Sequence, residues 1–177
     1  MKTIALTAAA LMFAGSALAQ SAAEKTGINS VAGVAPSTED FVLQAASSDM
    51  FEIESSRLAV ERASDEATKN FAQQMLDDHQ KTSNELKQLV ESGKVNAQIP
   101  TAMTDAHQGM LDELKELQGE EFAEEYRSAQ EDAHEDAVDL FQRYGSEGDN
   151  AELKTWAANT VPALQHHLQM VEQMNAN

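Results

Sequence analysis

The stretch that decides the fold reads FAQQMLDDH over residues 71–79 and continues as a helical pattern to residue 91. Apolar side chains recur in it at spacings of three and four, as one face of an amphipathic helix requires: Ala72, Met75, Leu86 and Leu89. His79 and Thr82 fall on the same face. Because this face must enter a core, an inward histidine that follows two aspartates needs a polar partner or a ligand.

The same period extends through most of the chain. It predicts a first helix after the N-cap residue Ser37, a second over residues 64–91, a third over residues 120–144 and a fourth capped by Asp149. A shorter helix is predicted over residues 101–117, and no strand pattern is present. Four long helices joined by short turns predict an all-α fold, an up-down four-helix bundle with a short extra helix between helices 2 and 3.

The composition of the chain limits the kinds of molecule and metal site that it is expected to have as partners. The 177 residues include 12 Lys and Arg against 30 Asp and Glu, a net charge of -18. So acidic a surface repels nucleic-acid phosphates and anionic lipids and favours cations. The chain has no cysteine, which excludes disulfides, thiolate metal sites and iron–sulfur clusters.

The first residues predict export. Lys2 precedes an apolar run over residues 4–14, and the small residues 17–19 end in Ala19. We interpret residues 1–19 as a signal peptide cleaved after Ala19, residues 20–36 as a flexible leader, and residues 37–176 as the bundle domain. No later segment is long and apolar enough to predict a membrane span. The expected location is the periplasm.

Each long helix carries one residue able to bind a metal near its middle. Glu52, His79 and His134 lie fifteen residues past their predicted helix starts, and His167 lies eighteen past Asp149. In helices of similar length, those positions fall within about 7 Å of one another in height. The pattern predicts a polar layer at mid-bundle.

This layer suits one transition-metal ion. Imidazole is a good ligand for zinc, copper, iron and nickel, and a carboxylate adds negative charge. Asp78 and Glu131 are candidates for orienting the imidazole rings from outside the layer. The corresponding function is storage, buffering or stress protection.

Two alternatives compete with this interpretation. Glu52 and a protonated histidine could form a hydrogen-bonded core network that only fixes helix register, in a metal-free structural, interaction or stress-response protein. A di-iron oxidase would need two Glu-x-x-His motifs, and only Glu131 with His134 supplies one, so this enzyme class is disfavoured. Of the other histidines, His107 is expected to be half-buried and His166 to be solvated.

Several short motifs resemble those of an exported bacterial family known as domain of unknown function 4142. They follow one another in the family's order: FVxxAA from Phe41, EIE from Glu52, FAxxMxxDH from Phe71, His107 with Leu111 and Leu114, GxxFxxxY from Gly119, His134, and PxLxxHL from Pro162. The resemblance covers about residues 41–171. It implies a ferritin-like four-helix fold and brings no established activity.

The resemblance also indicates one departure. The family usually has an acid just before the histidine of the third long helix, whereas this chain has Ala133 there and an acid at Glu131. Members are often described as outer-membrane proteins, which we interpret as export with a possible association with that membrane, because no span is predicted.

Overall fold

The computed structural model describes residues 20–176. In chain order the helices are α1 (Ala22–Lys25), α2 (Ile28–Ala32), α3 (Thr38–Arg62), α4 (Glu66–Glu91), α5 (Asp105–Glu116), α6 (Gly119–Glu147) and α7 (Ala151–Asn175). No strand is present within these residues. The all-α class predicted by periodicity is confirmed, while the predicted signal peptide, residues 1–19, lies outside the described residues.

Helices α3, α4, α6 and α7 form the four-helix bundle. Short turns make α3–α4 and α6–α7 antiparallel hairpins, and α3 is antiparallel to α6 because Thr38 meets Tyr144 while Ser56 meets Tyr126. It follows that α4 and α6 run parallel, whereas a simple up-down order would make these consecutive long helices antiparallel. The reason is that residues 92–118 cross the length of the bundle between them. One such crossover is characteristic of ferritin-like bundles.

Side-chain caps set most helix starts. Ser37 accepts a hydrogen bond from the Asp40 amide at 3.1 Å, as predicted for the first long helix. The cap of α7 is Asn150, which accepts from the amide of Leu153 at 3.0 Å, and not the predicted Asp149. Asp149 instead accepts a hydrogen bond from the Thr38 hydroxyl, which ties the α6–α7 turn to α3.

Helix α6 continues three residues beyond its predicted end, because Gly145 extends it instead of opening a turn. A Cβ built at Gly145 would lie 2.9 Å from the Ala158 nitrogen and 3.0 Å from its Cα. Glycine therefore allows α6 and α7 to approach at this point more closely than any other residue would. Helix α7 continues unbroken through Pro162.

Two apolar clusters fill the bundle, one towards each end. The first contains Phe41, Phe141 and Tyr144, and the second contains Phe51 and Tyr126. Between them lies a layer of buried polar side chains: Asp49, Glu52, His79, Gln130, His134 and His167. The predicted mid-bundle polar layer is thus a feature of the fold.

Helix α5 covers the seam between α3 and α6. Its Leu111 and Leu114 are buried in the second cluster. A hydrogen bond of 2.6 Å joins Nδ1 of His107 to Oγ of Ser47 in α3. Arg62 donates to backbone carbonyls at the end of α5, where a helix leaves acceptors unpaired.

Residues 20–36 differ from the irregular leader expected, because they contain the short helices α1 and α2. Glu24 is buried and pairs with Arg143 of α6 at 2.9 Å. Gln44 and Asn29 donate to the same carboxylate, and Asp40 accepts from the backbone of Ser21. This segment is hydrogen-bonded to the bundle at several points.

Within residues 20–176, none of the helices has the length and apolar character needed to cross a bilayer.

Candidate metal centre

Three helices bring one imidazole each to the middle of the bundle. The ring centroids of His79 and His134 are 5.5 Å apart, those of His79 and His167 are 5.7 Å apart, and those of His134 and His167 are 5.3 Å apart. One nitrogen from each ring lies within 4.8 Å of the corresponding nitrogen of the others. All three side chains are buried.

One nitrogen of each ring is hydrogen-bonded to an oxygen that lies outside the group of three imidazoles. Nδ1 of His79 is 2.8 Å from the Asp49 carboxylate, and Nε2 of His167 is 3.0 Å from the Asp78 carboxylate. Nδ1 of His134 is 2.8 Å from the backbone carbonyl of Gln130, one turn earlier in α6. Because these oxygens accept, the outer nitrogen of each ring carries a hydrogen, and the inner nitrogen presents a lone pair when the ring is neutral.

Among residues 20–176, one nitrogen of each ring is buried without a hydrogen-bond partner: Nε2 of His79, Nε2 of His134 and Nδ1 of His167. Natural cores rarely leave buried polar atoms unpaired, so this group of nitrogens calls for an explanation. An outer oxygen orienting an imidazole whose other nitrogen is vacant is the arrangement seen around metal-binding histidines.

The three rings differ in their pKa values, although all three are buried. Burial lowers the pKa of His167 to about 4 and the pKa of His134 well below its ordinary value, with the positive charge of His79 adding to both effects. Burial acts in the same direction on His79, but the hydrogen bond to Asp49 and the nearby carboxylate of Glu52 outweigh it and raise its pKa. His134 and His167 are therefore neutral near pH 7, as metal ligands must be.

Glu52 lies beside the three histidines and not among the atoms that converge. Its Oε1 is 3.8 Å from Nδ1 of His134, the nitrogen already bound to Gln130, and neither carboxylate oxygen has a hydrogen bond. Burial raises the pKa of Glu52 to about 7. Of the four predicted ligands, the structure brings three together and places the fourth against the outer side of one ring.

The two residues predicted to orient the rings have different outcomes. Asp78 does hold a ring, but the ring is His167 of α7 and not its neighbour in sequence. Glu131 faces outward and accepts a hydrogen bond from Asn175, so it takes no part in the layer. The residue that orients His134 is Gln130, whose backbone carbonyl is hydrogen-bonded to Nδ1 of that ring.

Asp49 is the residue that the sequence interpretation missed. It is buried, accepts from His79 and also accepts from Thr82 at 2.9 Å. Burial raises its pKa above the usual range for an aspartate. Its position three residues before Glu52, and so on the same helical face, was the available signal.

The remaining histidines lie outside the centre, as predicted. His107 is half-buried and stacks on Phe51 with ring centroids 5.8 Å apart, and burial lowers its pKa to about 4. His166 is exposed on the far side of α7.

The chain is similar in structure to a solved copper-related protein, described as CopM in the Cu(II)-bound form. The TM-score is 0.68 at 17% sequence identity, and the match covers 81% of this chain and 99% of that chain. At this identity the likeness establishes a shared fold. No curated protein matches the sequence.

A family model described as domain of unknown function (DUF4142) matches residues 23–174, nearly all of the part that the structure describes. The resemblance inferred from the short motifs is therefore confirmed, and this chain belongs to the DUF4142 family.

Proposed function

We propose that this protein binds one transition-metal ion between His79, His134 and His167 and that it serves to store or buffer that ion. The observation that carries the proposal is a group of three buried imidazoles whose nitrogens lie within 4.8 Å of one another, each ring also having one buried nitrogen without a partner among residues 20–176. Each ring is already oriented by an oxygen on its other side.

The distances suit a cation. Three atoms within 4.8 Å of one another always share a point no more than about 2.8 Å from each of them, and metal–imidazole bonds are about 2.0–2.1 Å long. A small inward movement of the rings would bring them to bonding distance. With no cation present, each buried unpaired acceptor costs about 1–3 kcal/mol, which a metal bond would offset.

The metal-free alternative is less well supported by the same contacts. A network that only fixed helix register would be expected to satisfy its own hydrogen bonds. The charged partner of Glu52 in such a network would be His79, because the lowered pKa of His134 leaves that ring neutral. Even with His79 charged, both carboxylate oxygens of Glu52 and one nitrogen of each ring have no hydrogen bond among residues 20–176. A bound divalent cation would add positive charge near Glu52.

The donor set indicates a class of metal. Neutral imidazoles suit copper, zinc, iron and nickel. Copper is the first ion to test, because a structure with the same fold was solved with Cu(II). Storage fits the centre better than catalysis does, since His79, His134 and His167 are at most 3% exposed and leave a substrate little access.

The proposed location is the periplasm, after cleavage behind Ala19. Mass spectrometry of the mature protein from its native host would test this, since a first residue of Gln20 is expected. A mature chain that retained residues 1–19 would contradict it.

The metal proposal is tested by loading the purified protein with Cu²⁺, Zn²⁺, Ni²⁺ or anaerobic Fe²⁺, followed by desalting and metal analysis. At least one of these ions should remain at about one per chain and should raise the melting temperature, because it binds only the folded state. His79→Ala should reduce the retained metal to near zero while the helical circular-dichroism signal persists.

His166→Ala is the matched control. It removes an exposed histidine next to His167 and should leave metal content unchanged. If the wild-type protein retained none of the four ions and its melting temperature did not rise, the metal-free structural role would replace the proposal. Equal metal loss in both variants would move the binding site elsewhere.

A further inference from the structure

We propose that the metal ion reaches and leaves this centre between α4 and α7, and that Asp78 is the residue that admits it. This inference rests on the proposed metal site and concerns its access route. Three features support it: the solvent exposure of Asp78, the sparse packing of α4 against α7, and a cavity beside these two helices.

Only one of the three rings is held by a group that solvent can reach. The side chain of Asp49, which holds His79, is 8% exposed, and Gln130, which holds His134, is completely buried. The side chain of Asp78, which holds His167, is 45% exposed. Asp78 therefore contacts both a candidate metal ligand and water.

The bundle is closed on its other sides. Helices α6 and α7 approach closely at Gly145, α3 and α4 form a tightly packed hairpin, and α5 covers the seam between α3 and α6. Helices α4 and α7 approach each other sparsely, and among residues 20–176 no further helix packs over them. Polar pairs bridge this seam: Asp78 with His167, and Glu85 with Trp156 at 2.9 Å.

A cavity of about 520 Å³ opens beside the same seam, and Arg127 of α6 also lines it. Gln74 lines it from α4, and Met170 lines it from α7. Gln74 also donates to the Asp78 carboxylate at 3.5 Å, and Met170 lies one helical turn beyond His167. The cavity thus ends about one turn from the pair that closes the centre.

Charge favours the same route. Asp77 is exposed beside Asp78, and the chain as a whole carries a net charge of -18, which concentrates cations at its surface. A cation that displaced His167 from Asp78 would meet a carboxylate first and an imidazole next. Rotation of the half-exposed Asp78 side chain would open this path without breaking the apolar clusters.

The test compares Asp78→Asn with Asp77→Asn, which remove the same charge from adjacent positions. Stopped-flow kinetics would follow uptake of Cu²⁺ or Zn²⁺, whichever saturates the wild-type chain at one ion, and release to a chelator. Asp78→Asn keeps an acceptor for His167 but should slow uptake about tenfold at low ionic strength, whereas Asp77→Asn should change it less than about twofold. Saturation stoichiometry should remain one in both.

Asp49→Asn separates access from ring orientation. It alters the buried partner of His79, so it should speed release by a larger factor than it changes uptake. The access route would be wrong if the wild type bound metal and both Asp78→Asn and Asp77→Asn took it up at the same rate, or if Asp49→Asn slowed uptake as much as Asp78→Asn. A wild-type chain without metal would instead refute the metal site itself.

Discussion

The two faces of α7 show opposite kinds of packing. Towards α6, the backbone around Ala158 fits against Gly145 with no space for a methyl group, and Leu153 and Leu164 are buried. Towards α4, contact depends on hydrogen bonds between polar side chains, and a cavity opens beside them. The first face fixes where the helix lies, and the second leaves the candidate centre in reach of ions.

A substitution where α7 packs closely against α6 should have the largest effect on stability. Gly145→Val would push α6 and α7 apart at the Ala158 backbone and should lower the free energy of unfolding by about 3 kcal/mol. Chemical denaturation would measure it. Gly109→Val is the control, because the same side chain at Gly109 of α5 meets open space and should change stability by less than about 1 kcal/mol. Similar losses in both would show that close approach is not the reason for Gly145.

Acid should weaken the contact between α7 and α4. Burial lowers the pKa of His167 to about 4, below its value of about 6.5 in the unfolded chain, so the unfolded state binds this proton more readily. The metal-free wild type should therefore lose about 2 kcal/mol of stability from this group as pH falls from about 6.5 towards 4.

Denaturation of the metal-free protein at pH 7 and pH 4.5 would measure this loss. His167→Gln cannot take up the proton, so its stability should fall less over the same interval. His166→Gln, at an exposed position, should follow the wild type. A wild type and His167→Gln with the same pH dependence would rule out this ring as a source of acid sensitivity.

The smallest effect concerns the second bridge between α4 and α7. Glu85→Ala removes the acceptor for the indole N–H of Trp156 and should destabilise the fold by about 1 kcal/mol. Glu91→Ala is matched, because each glutamate also has an exposed lysine four residues earlier, and Glu91 has no bond to α7. Its expected cost is about 0.3 kcal/mol. Thermal melts that did not distinguish the two would show that this bridge contributes no stability.

The positions of the long helices could be predicted because local rules set them. The period of three and four residues identifies which residues turn inward, and a side chain such as Ser37 caps its helix using atoms only three residues away. Counting from those starts was enough to predict that Glu52, His79, His134 and His167 share one layer, because every residue adds the same rise.

The details of the layer depend on rotations that the period does not specify. Asp49 and Glu52 lie on one face of α3, and a small turn of that helix decides which carboxylate meets His79. Glu131 and Gln130 are adjacent, yet the side chain of one faces Asn175 while the carbonyl of the other holds His134. The short helices at residues 22–32 could not be foreseen either, since Glu24 and Arg143 are far apart in sequence.

Helix period and rise are properties of the local backbone, so the sequence was enough to predict an all-α bundle with one metal-capable side chain at the middle of each long helix. The packing of the helices sets which nitrogen of each imidazole faces inward, since that depends on oxygens supplied by Asp49, Gln130 and Asp78. It also leaves one of these oxygens open to water, because α5 covers one seam of the bundle and leaves the seam between α4 and α7 free in the described chain.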